Sequence, residues 1–277
     1  MSMNDIQFWK DLCPSLTISD IELRVTPPEV EIKDISDKII HDGYFHVPFN
    51  SWDLPLDEMA KCIEKLKTLN IEPVWCFIYD EFWLLTTKVD AYIKSVLGEK
   101  YHKLPDMWAW HIDPANDERG WQAHRDRDPG TLFDDGSPKS ITVWIPLTDA
   151  TVENGCMYVV PKPKDPNSTK MDESYYADLE EHLYENDKVA VEAKAGDLLG
   201  WNQQLLHWGG SSTNKNAKPR ISVSVEFVSN YVTRLQNHSV QYSVKPWFNP
   251  FHVPTFDKKA ELINTVLLRY QHMWEVK

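Results

Sequence analysis

Over the first hundred residues the apolar positions recur mainly at helical spacing. Residues 35–41 form a short apolar stripe, and Gly43 supplies the stop. Residues 44–48 then read as a short strand. The stretch 54–69 predicts an amphipathic helix. Leu56, Met59, Ile63 and Leu66 share one stripe, while Asp57, Glu58, Lys61, Glu64 and Lys65 fall off it. Asp53 is placed to cap that helix, and Pro55 suits its first turn. Residues 89–97 predict a further helix that ends at Gly98.

The period changes near Leu104. Strand patterns follow over residues 107–112, 140–147, 157–160, 188–192, 198–201 and 220–227. Asn154-Gly155 is a hairpin signal between two of them. Two polar interruptions, 113–139 and 162–187, separate strands, and the second holds a short predicted helix around 175–184. The tail, 258–274, is again helical, with Leu262, Ile263, Val266, Leu267, Tyr270 and Met273 at helix spacing. The reading is a mainly β fold with flanking helices (α+β). Its many short strands suggest a double-stranded β-helix, that is, a cupin-like jelly roll. The pattern by itself also suits another sandwich or barrel. With no Pro/Gly/Ser-rich linker, we expect one domain over 1–277. Its jelly-roll core spans about 104–232, and the helical region 1–103 and the helix at about 258–274 pack on it.

Composition narrows the function. With 42% hydrophobic and 12% aromatic residues, 277 residues can bury a sizeable core. No apolar run approaches the roughly 20 residues of a membrane helix, so no membrane partner is expected. Residues 1–11 lack the basic start and apolar stretch of a signal peptide, which points to the cytoplasm. Cys13, Cys62, Cys76 and Cys156 have no metal-finger spacing and read as reduced core thiols. The net charge of -13 argues against nucleic acid, whose binding needs Lys and Arg on phosphates. The expected partner is a small molecule. Nothing in the chain signals an oligomeric state.

The chemistry rests on histidine and aspartate. Two histidines and one carboxylate on one face of iron(II) leave positions open for a chelating co-substrate and for oxygen. The short motif is His-x-Asp, which a chain with 10 histidines contains about once by chance. Two copies are present, His111-Ile-Asp113 and His124-Arg-Asp126. Alternation puts the first and third residue of either on one side of an extended segment. The residues alone leave the choice open.

Context brings in a resemblance. His124-Arg-Asp126 precedes the strand and turn Thr142-Val-Trp-Ile-Pro-Leu-Thr-Asp. Glu153-Asn-Gly, Tyr158-Val-Val-Pro, and Ala195-Gly-Asp-Leu-Leu-Gly-Trp leading to His207 follow in order, with Arg220 beyond. Over roughly 120–227 this resembles the phytanoyl-CoA dioxygenase family, and the Gly43-Tyr44 turn is similar too. The resemblance implies a jelly-roll oxygenase dependent on Fe(II), 2-oxoglutarate and O2, with His124, Asp126 and His207 on the metal. His111 would then be a strand residue near the pocket.

In residues 220–227, alternation puts Arg220, Ser222, Ser224 and Glu226 on one face and Ile221, Val223, Val225 and Phe227 on the other. A polar face on a central strand suits a cavity wall. Arginine can grip a carboxylate with two parallel hydrogen bonds. The resemblance makes that carboxylate the far end of 2-oxoglutarate, with Ser222 adding a hydroxyl. The interval from His207 to Arg220 is longer than the family pattern, with 212–218 as the extra loop.

Thr142 and Trp144 share a strand face, and Trp144 is expected beside iron or 2-oxoglutarate. Trp108, Trp110, His111, Gln122, Asn202 and Glu226 are the candidate substrate contacts. Trp121, Trp201 and Trp208 belong to the same tryptophan-rich surroundings. Loops 113–119 and 162–187 are expected to form a lid. The reaction implied is oxidation, foremost hydroxylation, of an unactivated C–H bond with release of succinate and CO2, with desaturation, ring formation and epimerisation left open. Asp126 argues against halogenation, which needs a small residue there. Competing readings are a jelly-roll binding protein and a cupin-type metal enzyme that does not use 2-oxoglutarate.

Overall fold

The computed structural model describes residues 3–29, 31–32, 35–49, 52–232, 234–237, 240–243 and 249–271. The helices are α1 (Ile6–Leu12), α2 (Ser36–Asp42), α3 (Leu56–Thr68), α4 (Asp80–Lys88), α5 (Asp90–Leu97) and α6 (Phe256–Tyr270). The strands are β1 (Leu23–Arg24), β2 (Tyr44–Val47), β3 (Tyr101–Ile112), β4 (Ser140–Pro146), β5 (Met157–Val160), β6 (Val189–Val191) and β7 (Leu198–Asn202). They continue with β8 (Leu206–Gly209), β9 (Arg220–Ser229), β10 (Arg234–Asn237), β11 (Val240–Ser243) and β12 (His252–Val253).

Two antiparallel sheets carry the fold. One has the order β2-β7-β4-β9-β3, the other β6-β5-β8. Between them lies an apolar layer holding Trp144, Met157, Val159, Val191, Leu199 and Trp201. The opposite side of the larger sheet turns Ile141, Val143, Ile145, Ile221, Val223 and Phe227 into a second core. The buried faces of α3, α5 and α6 complete that core. Period-two alternation therefore feeds two cores from one sheet, as the jelly-roll expectation requires. No helix among the described residues is long and apolar enough to cross a membrane.

Several expectations shift. Asp53 does not cap α3; it sits at φ 47, and the helix starts after Pro55 with no side-chain cap bond. α2 does end on left-handed Gly43, at φ 87. Strand β3 begins at Tyr101 and not at 107, with a register shift between Lys103 and Met107. Pro105, which lacks an N–H, lies inside that irregularity. The Asn154-Gly155 signal does not make a hairpin between 140–147 and 157–160. It carries the chain from β4 in one sheet to β5 in the other. The Asn154 side chain is tied to Thr151 N, Asp149 O and Lys218 O. Residues 175–184 form two 3-10 turns, Glu173–Tyr176 and Glu181–Tyr184, and not a helix. Met273, assigned to the final helix, lies outside the described residues.

Candidate metal centre and substrate cavity

His207 sits on β8, and His124 lies opposite it in an antiparallel bridge. His124 N donates to His207 O at 3.0 Å, and His207 N donates back to His124 O at 3.1 Å. This pairing sets the two imidazoles side by side, with centroids 4.4 Å apart. Asp126 projects to the same side two residues on. Its Oδ1 is 3.4 Å from His124 Nε2 and 3.5 Å from His207 Nε2. One ligand atom from each of the three falls within 4.8 Å of the others.

Each side chain is aimed by a second bond. His124 Nδ1 bonds Gln122 O at 2.6 Å, and His207 Nδ1 bonds Leu205 O at 2.9 Å. A carbonyl can only accept, so each Nδ1 carries the proton and each Nε2 presents a lone pair to the centre. Asp126 Oδ2 accepts from Thr142 Oγ1 and from Trp201 Nε1, both at 2.8 Å. Thr142 and Trp201 are register partners across β4 and β7. That leaves Oδ1 facing the histidines.

Electrostatics favour the metal-binding forms. Burial pushes His207 down to about 4, so it is neutral at pH 7. Burial alone would raise Asp126, but His207, His124 and the Thr142 hydroxyl hold it well below the usual carboxylate range. His124 Nε2 is buried and has no hydrogen-bond partner among the described residues. Two imidazoles and one ionised carboxylate oxygen, converging on an orphaned lone pair, fit a divalent transition metal such as iron(II).

A cavity of about 260 Å³ opens beside this face. Arg220 lines it and is only 1% exposed. Its guanidinium meets Ser222 Oγ at 3.3 Å and lies 5.7 Å from the Trp144 ring. Among the described residues no carboxylate is paired with it, and its Nε has no partner. Burial pulls its pKa down to about 10, which leaves it cationic. Glycine makes room behind it. A Cβ on Gly120 would meet Gly209 Cα at 2.7 Å and Arg220 Nη2 at 3.1 Å.

The far end of the cavity is walled by Trp108, Trp110, Trp121 and Tyr270, with Asp106, Arg127, Glu226 and Arg269 beyond. Arg127 donates to Asp106 at 2.7 Å and to Glu226. Arg269 donates to Asp106 at 3.0 Å, and the Tyr270 hydroxyl also bonds Asp106.

The structure gathers His124, Asp126 and His207, and leaves the other triplet out. Asp113 accepts from Ala115 N and caps the 3-10 turn Pro114–Asn116. His111 pairs with Ile221 and is absent from the cavity wall. Trp108, Trp110 and Glu226 do line it, but Glu226 is engaged by Arg127. Gln122 is exposed and contributes only its carbonyl. Asn202 lines a separate small cavity and accepts from Gln204 N. Thr142 touches Asp126, while Trp144 stands by Arg220 with a buried Nε1 that has no partner among the described residues.

Neither predicted lid lines the cavity. Loop 162–187 is fastened behind the metal segment: Arg125 bonds Asp165 at 2.6 Å, Tyr175 Oη donates to Arg127 O, and Tyr176 Oη donates to Asp128. Sequence reasoning missed the roles of Trp201, Asp106, Arg127, Arg269 and Tyr270. Only Arg127, next to Asp126, lay where a search would begin.

The fold is shared with known enzymes. The non-heme alpha ketoglutarate dependent carbocyclase SnoK from nogalamycin biosynthesis superposes with a TM-score of 0.56 at 17% identity, over 82% of this chain and 98% of its own. The non-heme monooxygenase ThoJ, as its nickel complex, gives 0.53 at 13%, over 86% and 98%. EctD from S. alaskensis, solved with 2-oxoglutarate and 5-hydroxyectoine, gives 0.50 at 15%, over 84% and 92%. Among curated proteins none matches the sequence at a significant level. The phytanoyl-CoA dioxygenase family model matches residues 52–222. With more than half of its length matched, the chain belongs to the phytanoyl-CoA dioxygenase family of iron- and 2-oxoglutarate-dependent oxygenases.

Proposed function

We propose that this chain hydroxylates an unactivated C–H bond of a small molecule, with iron(II) on His124, Asp126 and His207 and 2-oxoglutarate anchored by Arg220. The observation that carries this reading is Arg220: a buried cation in the cavity wall, unpaired with any described carboxylate. A buried charge is costly without a partner, and a dicarboxylate supplies one. When bound, iron and 2-oxoglutarate supply the oxidation: one oxygen atom of O2 enters succinate as CO2 leaves, and the other enters the substrate.

The chain's own residues bind and orient. Arg220 offers two parallel donors to the distal carboxylate, and the unpartnered Trp144 Nε1 is a further donor. Thr142 and Trp201 keep Asp126 on one oxygen. The tryptophan walls exclude water from the reacting region. Four free, buried cysteines support a reducing, cytoplasmic setting. An excess of 42 acidic over 29 basic residues supports a small-molecule partner over nucleic acid.

Anaerobic calorimetry of the iron-loaded protein tests the assignment. We expect 2-oxoglutarate to bind, and Arg220→Ala to weaken it by roughly 100-fold, the scale of a buried charge-assisted bidentate pair. Equal binding by both proteins sinks the anchor. Hydroxylation requires oxygen-18 from O2 in the product, and desaturation would leave none.

A further inference from the structure

We infer that the far end of the cavity takes a small, uncharged, ring-bearing molecule, read by its flat apolar face, and not an acyl coenzyme A thioester or a cation. The inference rests on the oxygenase reading, which assigns Arg220 and part of the cavity to the co-substrate.

The walls make the first half of the case. Trp110 and Trp121 stand at 82° with centroids 4.5 Å apart. Trp108 meets Tyr270 at 66° and 5.2 Å, and Trp121 meets the His124 ring at 5.7 Å. The aromatic cluster therefore abuts the metal face, and a ring laid against it lies beside the centre. Its walls offer both faces and edges, which suits a second ring system in stacked and edge-on contact. The cavity, about 260 Å³ and shared with a co-substrate, is below the ~300–1,000 Å³ usual for drug-sized ligands. One or two fused rings match that space.

Charge makes the second half. Asp106 and Glu226 are answered by Arg127 and Arg269 within hydrogen-bonding reach. Each of the two acids already faces a guanidinium group, so neither is left over to select an ion. A bound cation would compete with Arg127 for its acids, and a bound anion would compete with the acids for Arg127. Arg125 is held by Asp165, and Arg220 serves the co-substrate in this reading. Among the described residues that line the cavity, no surplus of cations awaits the phosphates of a coenzyme A ester. Tyr270 joins the two halves, since its ring is a wall and its hydroxyl is pinned by Asp106. The charged cluster thus acts by holding a wall.

Calorimetry on the anaerobic iron- and 2-oxoglutarate-loaded protein tests this with a matched series: 2-naphthol, 2-naphthoate, a naphthyl-trimethylammonium salt, and acetyl coenzyme A. We expect 2-naphthol to bind at least tenfold more tightly than the others. Trp121→Leu should weaken it at least tenfold, and Trp121→Phe should restore most of the loss. Trp121 is half-buried, and a thermal melt checks that each variant is folded. Tighter binding of either charged probe or of the coenzyme A ester overturns the inference, as does failure of 2-naphthol or indifference to Trp121→Leu. The two readings fail separately. Loss of 2-oxoglutarate binding with 2-naphthol still bound sinks the oxygenase reading alone, and the reverse sinks this inference alone.

Discussion

At the metal face, His124 and His207 are aimed by the backbone. Their amides pair directly, and each Nδ1 bonds a carbonyl two residues upstream. At the far end of the same cavity, Arg127 reaches Glu226 across 99 positions, and Arg269 reaches Asp106 across 163. There, side chains aim one another through charge. Backbone pairing survives most substitutions, because every residue but proline supplies the same donor and acceptor. A charge network depends on each member, since removing one leaves its partner buried and unanswered. One cavity thus joins a centre whose geometry is hard to alter to a wall that single changes can remodel.

The sharpest test of the metal half is Asp126→Ala. We expect metal-dependent succinate release to fall to background while the apo fold persists by circular dichroism. A folded variant with normal turnover would remove Asp126 from the centre. For the far half, Arg127→Met should destabilise the protein by about 3–5 kcal/mol in urea unfolding, because Asp106 and Glu226 stay buried. Adding Glu226→Leu should recover part of that loss. A neutral outcome for the single variant would mean the wall is not held by charge.

Trp201→Phe probes how far the metal half depends on side chains. Deleting its bond to Asp126 Oδ2 should weaken metal affinity by roughly 10–100-fold, with little change in apo stability. Unchanged affinity would show that Thr142 alone orients the carboxylate.

Lys103 is a control on neither side. It shares β3 with Asp106, but its Nζ lies 4.1 Å from the Trp83 ring and bonds Thr86. Burial pulls its pKa down to about 7 from 10.5. The unfolded chain therefore binds the extra proton between those values, and stability rises with pH through that window, by at most about 1.4 kcal/mol per pH unit. Lys103→Met should remove that slope from a Tm series and leave metal binding alone. A persisting slope would assign it to another group.

Legibility in the sequence follows the same division. Helices α2, α3, α5 and α6 could be read because each exposes one face and buries the other. Helix α4 could not, since Asp80, Glu81, Phe82, Trp83, Leu85, Thr86 and Thr87 are all buried and the polar face is missing. Strand β8 spans only Leu206–Gly209, and it is the strand that brings His207 to His124. The polar face of β9 was visible by alternation, so Arg220 and Glu226 were found. Asp106, Arg269 and Tyr270 carry no local signal. Their pairings exist only once α6 lies against β3, and periodicity within either segment says nothing of the other.

Helix α6 also bears on which part of the cavity the family match reaches. The family match covers 52–222, which includes the triad, Arg220 and the tryptophans of β3, and stops short of Ser224, Glu226, Arg269 and Tyr270. The matched stretch holds the reacting half and, with Asp106, Trp108, Trp110, Trp121 and Arg127, much of the far wall. Of the remaining wall, Ser224 and Glu226 stand on β9, and Arg269 and Tyr270 are carried by α6, which holds none of the proposed ligands. Replacing α6 alone would exchange Arg269 and Tyr270 while leaving the metal face and the Trp108, Trp110 and Trp121 wall in place.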